Sequence, residues 1–311
     1  MSAARKRRDP ELRDFVRTRS NAMRTLLQTV EKVLNHDVHI LLLGESGVGK
    51  DFFAEAIHAC GERRAKPLVH INCAAIPADL FEAELFGYEK GTFTDAQARK
   101  LGKLEVAHGG TVYFDDIAAL VPTLQAKLLR AIQEKRFTRL GGHEPVGFDA
   151  RILSSSNVDP ETLLASGGFR RDLFYRINVV TLTIPSLRER REDIPQLAKR
   201  FLARRKRGID AAAMKLLREY RWPGNVRELR NVMDRAVLIE ESDVITPRSL
   251  PPFDGDLLGA ATDRQWTLDE LEARYIRQVL RQTRSNFSRA AAILGINRKT
   301  LLEKRKKYGI E

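Results

Sequence analysis

The stretch "LLLGESGVGKD", residues 41–51, decides the fold of this chain. An apolar run ends at Gly44, and a helical pattern, "FFAEAIHAC", begins after Asp51. The spacing of Gly44, Gly49 and Lys50 matches the phosphate-binding loop that connects a buried strand to a helix. A glycine-rich turn without a ligand is the alternative, but strand, spacing, lysine and helix all agree. The sequence therefore predicts an α/β domain that binds a nucleotide.

The residue types in this loop suit phosphate binding for chemical reasons. Glycines let the backbone curl so that its N–H groups face phosphate, and the helix N-terminus adds its dipole. Lys50 is expected to reach the β- and γ-phosphates, while Asp51 stands where Ser or Thr usually holds Mg²⁺ and can bind the ion through water. The predicted cofactor-binding residues of the loop are Gly44, Glu45, Ser46, Gly47, Val48, Gly49, Lys50 and Asp51.

A second motif supports the first. In "GGTVYFDDI", residues 109–117, an apolar strand ends in Asp115 and Asp116, at the sheet edge where a nucleotide metal would lie. We expect Asp115 to hold Mg²⁺ and Asp116 to orient or deprotonate the attacking water. The run "ARILSSSN" places Asn157 at the same edge, where its amide can sense the γ-phosphate by hydrogen bonding.

Arginines follow in "GGFRRDLFYRI", residues 167–177. The planar guanidinium groups of Arg170, Arg171 and Arg176 suit stabilisation of a phosphoryl-transfer transition state. Arginines on a helix are more often only surface residues. From these residues alone, the surface interpretation is favoured.

The order of predicted strands and helices along the chain indicates its division into domains. Apolar runs alternate with helical patterns up to Ser186, which predicts a parallel sheet with helices on both faces, and strands disappear after that point. The predicted units are a basic tail at 1–20, an α/β domain at 21–185, a helical domain at 186–245, a linker at 246–265 and a basic helical unit at 266–311.

Composition narrows the class of protein. The chain has 311 residues, 43% of them hydrophobic, which suits one sizeable domain with smaller additions, and its formal net charge of +13 indicates a polyanionic partner such as nucleic acid. The two cysteines lack metal-ligand spacing and the six histidines are scattered, so nothing indicates a metal beyond Mg²⁺. No apolar run approaches the roughly 18 residues of a membrane span, so we expect a cytoplasmic protein.

The carboxyl-terminal run "FSRAAAILGINRKTLLEKRKKYGI", residues 287–310, has the packing pattern of a helix-turn-helix. Small residues precede the turn at Gly295, and Asn297 is placed to cap a basic second helix. The residues predicted to bind DNA are Arg298, Lys299 and Thr300 at base edges and Lys304 to Lys307 at phosphates. A basic surface hairpin is the alternative. An apolar stripe on the preceding helix is expected to serve partly in pairing two copies.

Seven segments together resemble the AAA+ ATPase domain of bacterial enhancer-binding proteins, the activators of sigma-54 RNA polymerase. They are "LLLGESGVGKD", "INCAAIP", "ELFGYEKGTFTDA", "GGTVYFDDI", "LQAKLLRAIQEKRFTRLGG", "GFRRDLFYRINVVTLTIPSLRERREDI" and "YRWPGNVRELRN". The carboxyl-terminal unit resembles the Fis-type domain of the same proteins. The resemblance implies ATP and Mg²⁺ as cofactors, a helical lid over residues 186–245 and a hexameric ring.

The resemblance also implies residue roles. Asn72 corresponds to the residue that restrains the catalytic carboxylate, here Asp116. Arg170 and Arg176 correspond to arginine fingers that act on ATP held by the neighbouring subunit, and Arg227 to the sensor arginine of the lid. With this resemblance, Arg170 and Arg176 are interpreted as catalytic residues and no longer as surface residues. An isolated subunit would then have an incomplete site.

A mobile loop in this family contacts sigma-54 through an exposed phenylalanine. The matching residues are Gly91, Thr92, Phe93, Thr94, Asp95 and Ala96. An inward-folded Phe93 that anchors the loop is the alternative. Thr92 and Asp95 replace the usual alanine and second glycine, which reduces backbone freedom and adds a negative charge. Asp116 replaces the usual glutamate, which withdraws the base by about one methylene.

The sequence therefore predicts an activator that binds enhancer DNA, forms a hexamer, dimerises on DNA and remodels sigma-54 RNA polymerase with ATP. One alternative is an ATP-gated DNA-binding regulator that does not engage sigma-54. A helicase or loader is a second alternative, which the helix-turn-helix and the loop fit poorly. About twenty residues precede the ATPase domain, so we expect regulation in trans, by an inhibitory or co-activating protein or by the expression level.

Overall fold

The computed structural model of the chain describes residue 12 and residues 16–93, 96–203, 208–251, 253, 265–283 and 285–310. The strands are β1 (Ile40–Leu43), β2 (Leu68–Asn72), β3 (Gly87–Tyr88), β4 (Lys100–Leu101), β5 (Thr111–Asp115), β6 (Arg136–Thr138), β7 (Pro145–Gly147), β8 (Arg151–Ser156), β9 (Val180–Thr183), β10 (Gly208–Ile209) and β11 (Val244–Ile245). The helices are α1 (Asn21–Val33), α2 (Lys50–Cys60), α3 (Ala78–Phe86), α4 (Lys103–Val106), α5 (Pro122–Glu134), α6 (Pro160–Ala165), α7 (Arg171–Ile177), α8 (Ile194–Leu202), α9 (Ala211–Glu219), α10 (Asn225–Ile239), α11 (Leu268–Gln282), α12 (Phe287–Leu294) and α13 (Arg298–Lys307).

Five strands form the central sheet in the order β2-β5-β8-β1-β9, and every pair in it is parallel. Register pairs Ile40 with Leu153 and with Val180, so β1 lies between β8 and β9. Because parallel strands end at one edge, the residues that follow β1, β2, β5 and β8 meet there. This edge carries the candidate site.

The sheet has a hydrophobic core on each face, because successive side chains of a strand point to opposite sides. Leu41 packs into one core with Phe114, whereas Ile40 and Leu42 pack into the other, which also receives Phe53 of α2. Burial of each such side chain stabilises the fold by roughly 1.5–3 kcal/mol. The α/β prediction is confirmed.

Two short hairpins project from the sheet and are fastened to each other. One is β3–β4 and the other is β6–β7. Arg139 is buried and donates to Glu89 at 2.8 Å and to Glu105 at 2.6 and 2.9 Å. Leu140 exchanges backbone hydrogen bonds with Glu89 and Gly87 at 3.0 Å. The loop that begins after Glu89 therefore starts from a fixed base.

Helices α8, α9 and α10 form the helical unit after the sheet, around the buried Trp222. Strands were not expected after Ser186, and this is wrong in one respect, because β10 and β11 form a short parallel pair there. A pair of two-residue strands is too short to show a periodicity in the sequence. It is held by Ile245, which is fully buried in the core of the unit.

Residues 18–20 belong to the folded part of the chain, although they were predicted to lie in the basic tail. The buried carboxylate of Asp193 accepts hydrogen bonds from Thr18 Oγ1 and Arg19 N at 2.6 Å and from Ser20 N at 3.3 Å. Asp193 immediately precedes α8. The segment before α1 is thus attached to the first helix of the helical unit.

The carboxyl-terminal unit consists of α11, α12 and α13. Its core contains Ile276, Val279 and Leu301, while Leu268 and Tyr275 on the same apolar stripe stay 85% and 45% exposed. Part of the stripe thus packs within the unit and part faces outward. Among the described residues, none of the helices is long and apolar enough for a membrane span.

Candidate nucleotide-binding and catalytic site

The loop between β1 and α2 has the curled backbone that a phosphate site requires. Gly47 and Gly49 have φ angles of 79° and 101°, in the left-handed region that favours glycine. A Cβ atom on Gly47 would lie 2.4 Å from the backbone oxygen of Gly224 in the helical unit, so only glycine fits. Gly49 is the N-cap of α2, so the positive end of that helix faces the loop.

Lys50 points from the first turn of α2 into the loop. Its ammonium donates hydrogen bonds to the carbonyl oxygens of Gly44 at 2.8 Å and Glu45 at 3.2 Å. Burial lowers the pKa of Lys50, and the neighbouring charges of Asp115 and Asp116 oppose that effect. The lysine therefore lies close to the carboxylates of Asp115 and Asp116 at the end of β5.

Hydroxyl groups of neighbouring strands orient the carboxylates. The Tyr113 hydroxyl lies 3.0 Å from Asp51 Oδ1 and 3.3 Å from Asp115 Oδ1, and it can donate to either. Ser155 Oγ donates to Asp115 Oδ1 at 2.7 Å and accepts from the Asp116 N–H at 3.0 Å. One serine hydroxyl on β8 thus fixes two consecutive residues at the end of β5.

Two features distinguish Asp116, the predicted general base. Its backbone is left-handed, with φ at 54°, a conformation that is costly for a non-glycine residue unless contacts hold it. Burial raises the pKa of Asp116, and the adjacent Asp115 raises it further, although Lys50 opposes both effects. A carboxylate with a raised pKa accepts a proton more readily near neutral pH.

The donor groups at this edge fit a divalent ion bound beside the phosphates. Carboxylate oxygens of Asp51 and Asp115 and a ring nitrogen of His70 all lie within 4.8 Å of one another. Hard carboxylate oxygens suit Mg²⁺. His70 was not expected here, because its position depends on the pairing of β2 with β5, which sets it opposite Tyr113.

Asn72 and Asn157 both lie at this edge. The register pairs Asn72 with Asp115, but the Asn72 side-chain oxygen accepts from Ala74 N at 3.1 Å and Ala75 N at 3.0 Å. In the described part of the chain its hydrogen bonds are therefore local, and a restraint on Asp116 stays a prediction. Asn157 is exposed directly after β8, at the end of the strand that carries Ser155.

The helical unit contacts the phosphate loop through several residues. Arg227 donates to Ser46 Oγ at 3.0 Å, and its backbone N–H donates to Gly47 O at 3.2 Å. The buried Asn225 donates to Glu45 and to Ser46 O, both at 3.0 Å. Arg188 binds both carboxylate oxygens of Glu45 and, together with Asn225, lowers the pKa of Glu45. The roles of Asn225 and Arg188 were not predicted from the sequence.

The two proposed finger arginines lie on or beside α7. Arg170 is exposed and forms an ion pair with Asp172. Arg176 lies near the end of α7, and the chain continues from there into β9. Val180, the first residue of β9, donates its backbone N–H to the carbonyl of His39, which precedes β1. Burial lowers the pKa of His39, and the charge of Arg176 lowers it further. Arg176 is thus near the amino end of β1, whereas the phosphate loop follows the carboxyl end.

The loop after β3 presents an aromatic side chain. Phe93 is 44% exposed, and its ring lies edge-on to that of Tyr88 with centroids 4.8 Å apart. Thr92 Oγ1 lies 2.6 Å from the Glu89 carbonyl oxygen and 3.0 Å from that of Leu140. Gly91 donates to the carbonyl of Ala96 at 2.9 Å. The predicted contact residues Thr94 and Asp95 lie outside the described residues.

The carboxyl-terminal unit has the geometry of a helix-turn-helix. Gly295 turns the chain with φ at 67°, and the Asn297 side chain caps α13 by accepting from Thr300 N at 2.8 Å. Arg298 and Lys299 are exposed on the first turn of α13. Lys304, which was assigned to phosphate, donates instead to Glu272 of α11 at 2.7 Å. Its contact with DNA stays a prediction that would require release from Glu272.

Comparison with known proteins agrees with this arrangement. Residues 16–183 match the sigma-54 interaction domain, residues 188–256 the AAA+ ATPase lid domain, and residues 267–308 the bacterial regulatory proteins of the Fis family. The chain belongs to the sigma-54-dependent enhancer-binding regulators. It is thus a transcription regulator with an AAA+ ATP-binding domain and a DNA-binding helix-turn-helix.

Two curated regulators illustrate the similarity. Regulatory protein AtoC of Escherichia coli K12 is 41% identical over 311 residues, which cover 94% of this chain and 68% of AtoC. Transcriptional regulatory protein ZraR of the same organism is 44% identical over 296 residues, covering 92% of this chain and 67% of ZraR.

Solved structures agree on the fold. NtrX of Brucella abortus in complex with ATP has a TM-score of 0.70 at 35% identity, covering 95% of this regulator and 69% of NtrX. A point mutant of RuvB from Thermotoga maritima has a TM-score of 0.53 at 17% identity, covering 97% of this chain and 90% of RuvB. The RuvB similarity shows the AAA+ fold alone.

Ser155 gives the first testable prediction for this enhancer-binding regulator. Ser155→Ala removes the bonds to Asp115 and the Asp116 N–H, so ATP turnover should fall by about 10- to 100-fold, because misplacement of a catalytic group by about 1 Å costs that much. ATP affinity should change less than about threefold, since Lys50 and the loop are unaltered. Steady-state kinetics and nucleotide titration measure both quantities.

Ser154→Ala is the matched control, because Ser154 is equally buried on β8 and, among the described residues, its hydroxyl makes a single long contact, at 3.4 Å from the Ile40 carbonyl oxygen. Equal losses in the two variants would show that Ser155 acts through packing and not through the carboxylates.

Proposed function

We propose that this regulator binds enhancer DNA through α13, assembles into a hexameric ring and uses ATP hydrolysis to remodel closed sigma-54 RNA polymerase into the open complex. The observation that carries the proposal is the exposed ring of Phe93 on a loop of the same domain that holds the phosphate loop. The Phe93 ring, which stays 44% exposed on a short loop, is available for contact with a partner.

The residues at the sheet edge divide the chemistry among them. The loop N–H groups and Lys50 would bind the phosphates of ATP, and Asp51 and Asp115 would hold Mg²⁺, which neutralises charge on the phosphates when bound. Asp116 would orient the attacking water and accept its proton. Asn157 and Arg227 would distinguish ATP from ADP, because both carry hydrogen-bond donors at the edge where the γ-phosphate is expected.

The proposal of a ring rests on the position of Arg176. It lies near the amino end of β1, and the four residues of that strand span roughly 13 Å. Arg176 is therefore expected near the opposite end of β1 from the phosphate loop of its own chain. Tyr175 and Val179 beside it are 68% and 57% exposed, which suits a surface covered by a second subunit. Arg170 and Arg176 would then complete the site of the neighbouring subunit.

The contacts between lid and loop offer a route from nucleotide to movement. Arg227 and Asn225 bind the backbone or side chains of the phosphate loop directly. Any change in that loop on hydrolysis would therefore be transmitted to the helical unit. We infer that tilting of the lid between ATP and ADP states accompanies the movement of the Phe93 loop.

DNA recognition gives a second prediction. Arg298→Ala is expected to weaken binding to the specific site by roughly 1–3 kcal/mol, because Arg298 is exposed at the start of the helix predicted to enter the major groove. Lys304→Ala is the control, because Lys304 is held by Glu272 and should affect binding less. Fluorescence anisotropy at fixed salt measures both affinities. A larger loss with Lys304→Ala would reverse the assignment.

The raised pKa of Asp116 predicts a pH dependence. Only the ionised carboxylate can accept a proton, so turnover should fall about tenfold per pH unit once the pH drops below the pKa of Asp116. Because burial raises that pKa above its ordinary 3.8, the fall should begin at a higher pH than for an exposed aspartate. The residual turnover of Asp116→Asn should lack this acid limb. An unchanged limb in Asp116→Asn would assign it to another group.

One experiment tests the proposed function as a whole. The purified regulator is added to sigma-54 RNA polymerase on its promoter, and open-complex formation and phosphate release are followed together with and without ATP. We expect opening that depends on ATP hydrolysis. Phosphate release without opening would refute the engagement of sigma-54, and a lack of both would refute the ATPase assignment if the ring is shown to form.

A second candidate is an ATP-gated DNA-binding regulator that does not engage sigma-54. Thr92 favours it, because its hydroxyl lies within hydrogen-bond distance of the Glu89 and Leu140 carbonyls and its side chain packs on Gly141. The usual alanine could not make these hydrogen bonds, so this loop is held more firmly to the β6–β7 hairpin. Restoration of opening by Thr92→Ala would favour a restrained activator over a regulator that does not need sigma-54.

A further inference from the structure

A buried arginine contacts the phosphate loop from outside it. Arg190 belongs to the segment Leu187–Asp193, which precedes α8 and is kinked at this residue. Its side chain is only 6% exposed. Nη2 donates to the carbonyl oxygen of Val48 at 2.8 Å, and Nη1 lies 3.4 Å from Sδ of Met23 on α1. The guanidinium therefore joins three parts of the chain, one of which is the phosphate loop.

The charge of Arg190 has little compensation in the described part of the chain. Nε is buried and has no hydrogen-bond partner among the described residues. A buried guanidinium is normally paired with a carboxylate. Asp193 is the carboxylate whose charge acts on Arg190, but its hydrogen bonds are taken by residues 18–20. Because a buried cation without a bonded carboxylate costs free energy, stability alone does not explain an arginine at this position.

The bond to Val48 fixes the direction of the next N–H group. In a trans peptide, the carbonyl of one residue and the N–H of the next point in opposite directions. The next residue is Gly49, with φ at 101°, and a Cβ atom there would meet nothing within 4 Å. A glycine in open space can adopt several backbone orientations, so an outside contact is needed to select one. Arg190 supplies that contact and directs the Gly49 N–H away from itself.

Two further carbonyls of the loop are held in the same way. Ser46 O accepts from the Asn225 side chain at 3.0 Å, and Gly47 O accepts from the Arg227 N–H at 3.2 Å. With Val48, three consecutive carbonyls of the loop thus accept hydrogen bonds from residues that follow the sheet. By the same peptide geometry, the three N–H groups that come next in the chain point away from these donors. A row of N–H groups in a curled loop is suited to binding phosphate.

We propose that Arg190 is a positioning residue of the nucleotide site, which directs the Gly49 N–H toward the β-phosphate by holding the Val48 carbonyl. The N–H groups of such a loop surround the α- and β-phosphates, so the diphosphate is the part of the ligand that depends on Arg190. Its buried charge also makes the potential behind the loop more positive, which favours a polyphosphate. The proposal rests on nucleotide binding by the loop and not on engagement of sigma-54.

The test compares ADP affinity with stability, using the full chain without DNA or polymerase. Arg190→Met keeps a long apolar side chain but removes the charge and the donors. ADP should bind about tenfold more weakly by calorimetry, because a hydrogen bond from a charged donor is lost. The unfolding temperature without nucleotide should stay the same or rise, since replacement of a buried charge by an apolar side chain is often neutral or stabilising. A merely structural arginine would give a lower unfolding temperature.

Arg191→Met is the matched control, because it removes the adjacent, exposed arginine, and it should change neither quantity. Arg190→Lys keeps the charge with a shorter side chain, so ADP should bind about threefold more weakly, at an unchanged unfolding temperature. Unchanged ADP affinity in Arg190→Met, or an equal loss in Arg191→Met, would overturn the proposal.

A fall in the unfolding temperature of Arg190→Met, or its failure to fold, would leave the decision to Arg190→Lys. Weaker ADP binding by a lysine variant of unchanged stability would then support the positioning role, and any other result would overturn it. Both measurements are made without promoter opening or hydrolysis, so failure of the sigma-54 proposal would leave them unchanged.

Discussion

Arg176→Ala is expected to lower ATP turnover about 1,000-fold, because an arginine finger contributes on the order of 10³–10⁵ to phosphoryl transfer. ATP affinity should stay within about threefold, since the finger is proposed to act on ATP bound to the neighbouring chain. Turnover and nucleotide binding are measured on the same preparation, and analytical ultracentrifugation establishes that the ring still forms. Arg171→Ala, which removes an exposed arginine from the first turn of the same helix, is the matched control and should change turnover little.

A mixing experiment shows whether the finger acts between subunits. Lys50→Ala should abolish ATP binding but keep Arg176, whereas Arg176→Ala keeps the phosphate loop. Random equal mixing places a finger-bearing Lys50→Ala subunit beside an Arg176→Ala site at about one quarter of all interfaces in a closed ring. Turnover should therefore recover to about that fraction of the unaltered level. No recovery in rings that demonstrably contain both variants would mean that Arg176 acts within its own chain.

Phe93→Ala is expected to abolish ATP-dependent promoter opening, by about 50-fold or more, because truncation of a central aromatic contact removes much of the energy of a small interface. Phosphate release should change less than about threefold, and DNA binding should not change, since Phe93 packs on Tyr88 and lies on the loop after β3. Opening is followed on the sigma-54 promoter, with phosphate release recorded in the same sample.

Two further variants sharpen this result. Leu238→Ala removes an 81% exposed apolar side chain of α10 and should leave opening unchanged, because that surface has no proposed partner. Phe93→Tyr keeps an aromatic ring and should retain most of the activity. Full promoter opening by Phe93→Ala would exclude the loop as the sigma-54 contact and favour a regulator that works without it.

Local motifs were predictable from the sequence because their parts are neighbours in the chain. The strand, glycines and lysine of residues 41–51 specify the phosphate loop together, and Asp115 and Asp116 follow directly from the end of an apolar run. Asn297 as a cap and Gly295 as a turn were predictable for the same reason, since each acts on the next few residues.

Contacts between distant segments were not predictable in this way. Ser155 reaches Asp116 only because β8 lies beside β5, and His70 reaches Asp115 only because β2 lies on the other side. The order of the strands in the sheet cannot be inferred from the hydrophobic periodicity of the sequence. Asn225 was missed because its role depends on docking of the helical unit against the loop. The bond between Lys304 and Glu272 was not predicted because the two residues lie on different helices.

The carboxylate of Asp193 has a mechanical consequence. It ties residues 18–20 to the residue immediately before α8, so the two segments must move as one body while those three hydrogen bonds hold. A rotation of the helical unit would displace the chain ahead of α1. A force on that chain would in turn change the orientation that the helical unit prefers. If the helical unit moves with the nucleotide state as proposed, residues 18–20 would move with it, although none of these three residues is assigned to the catalytic site.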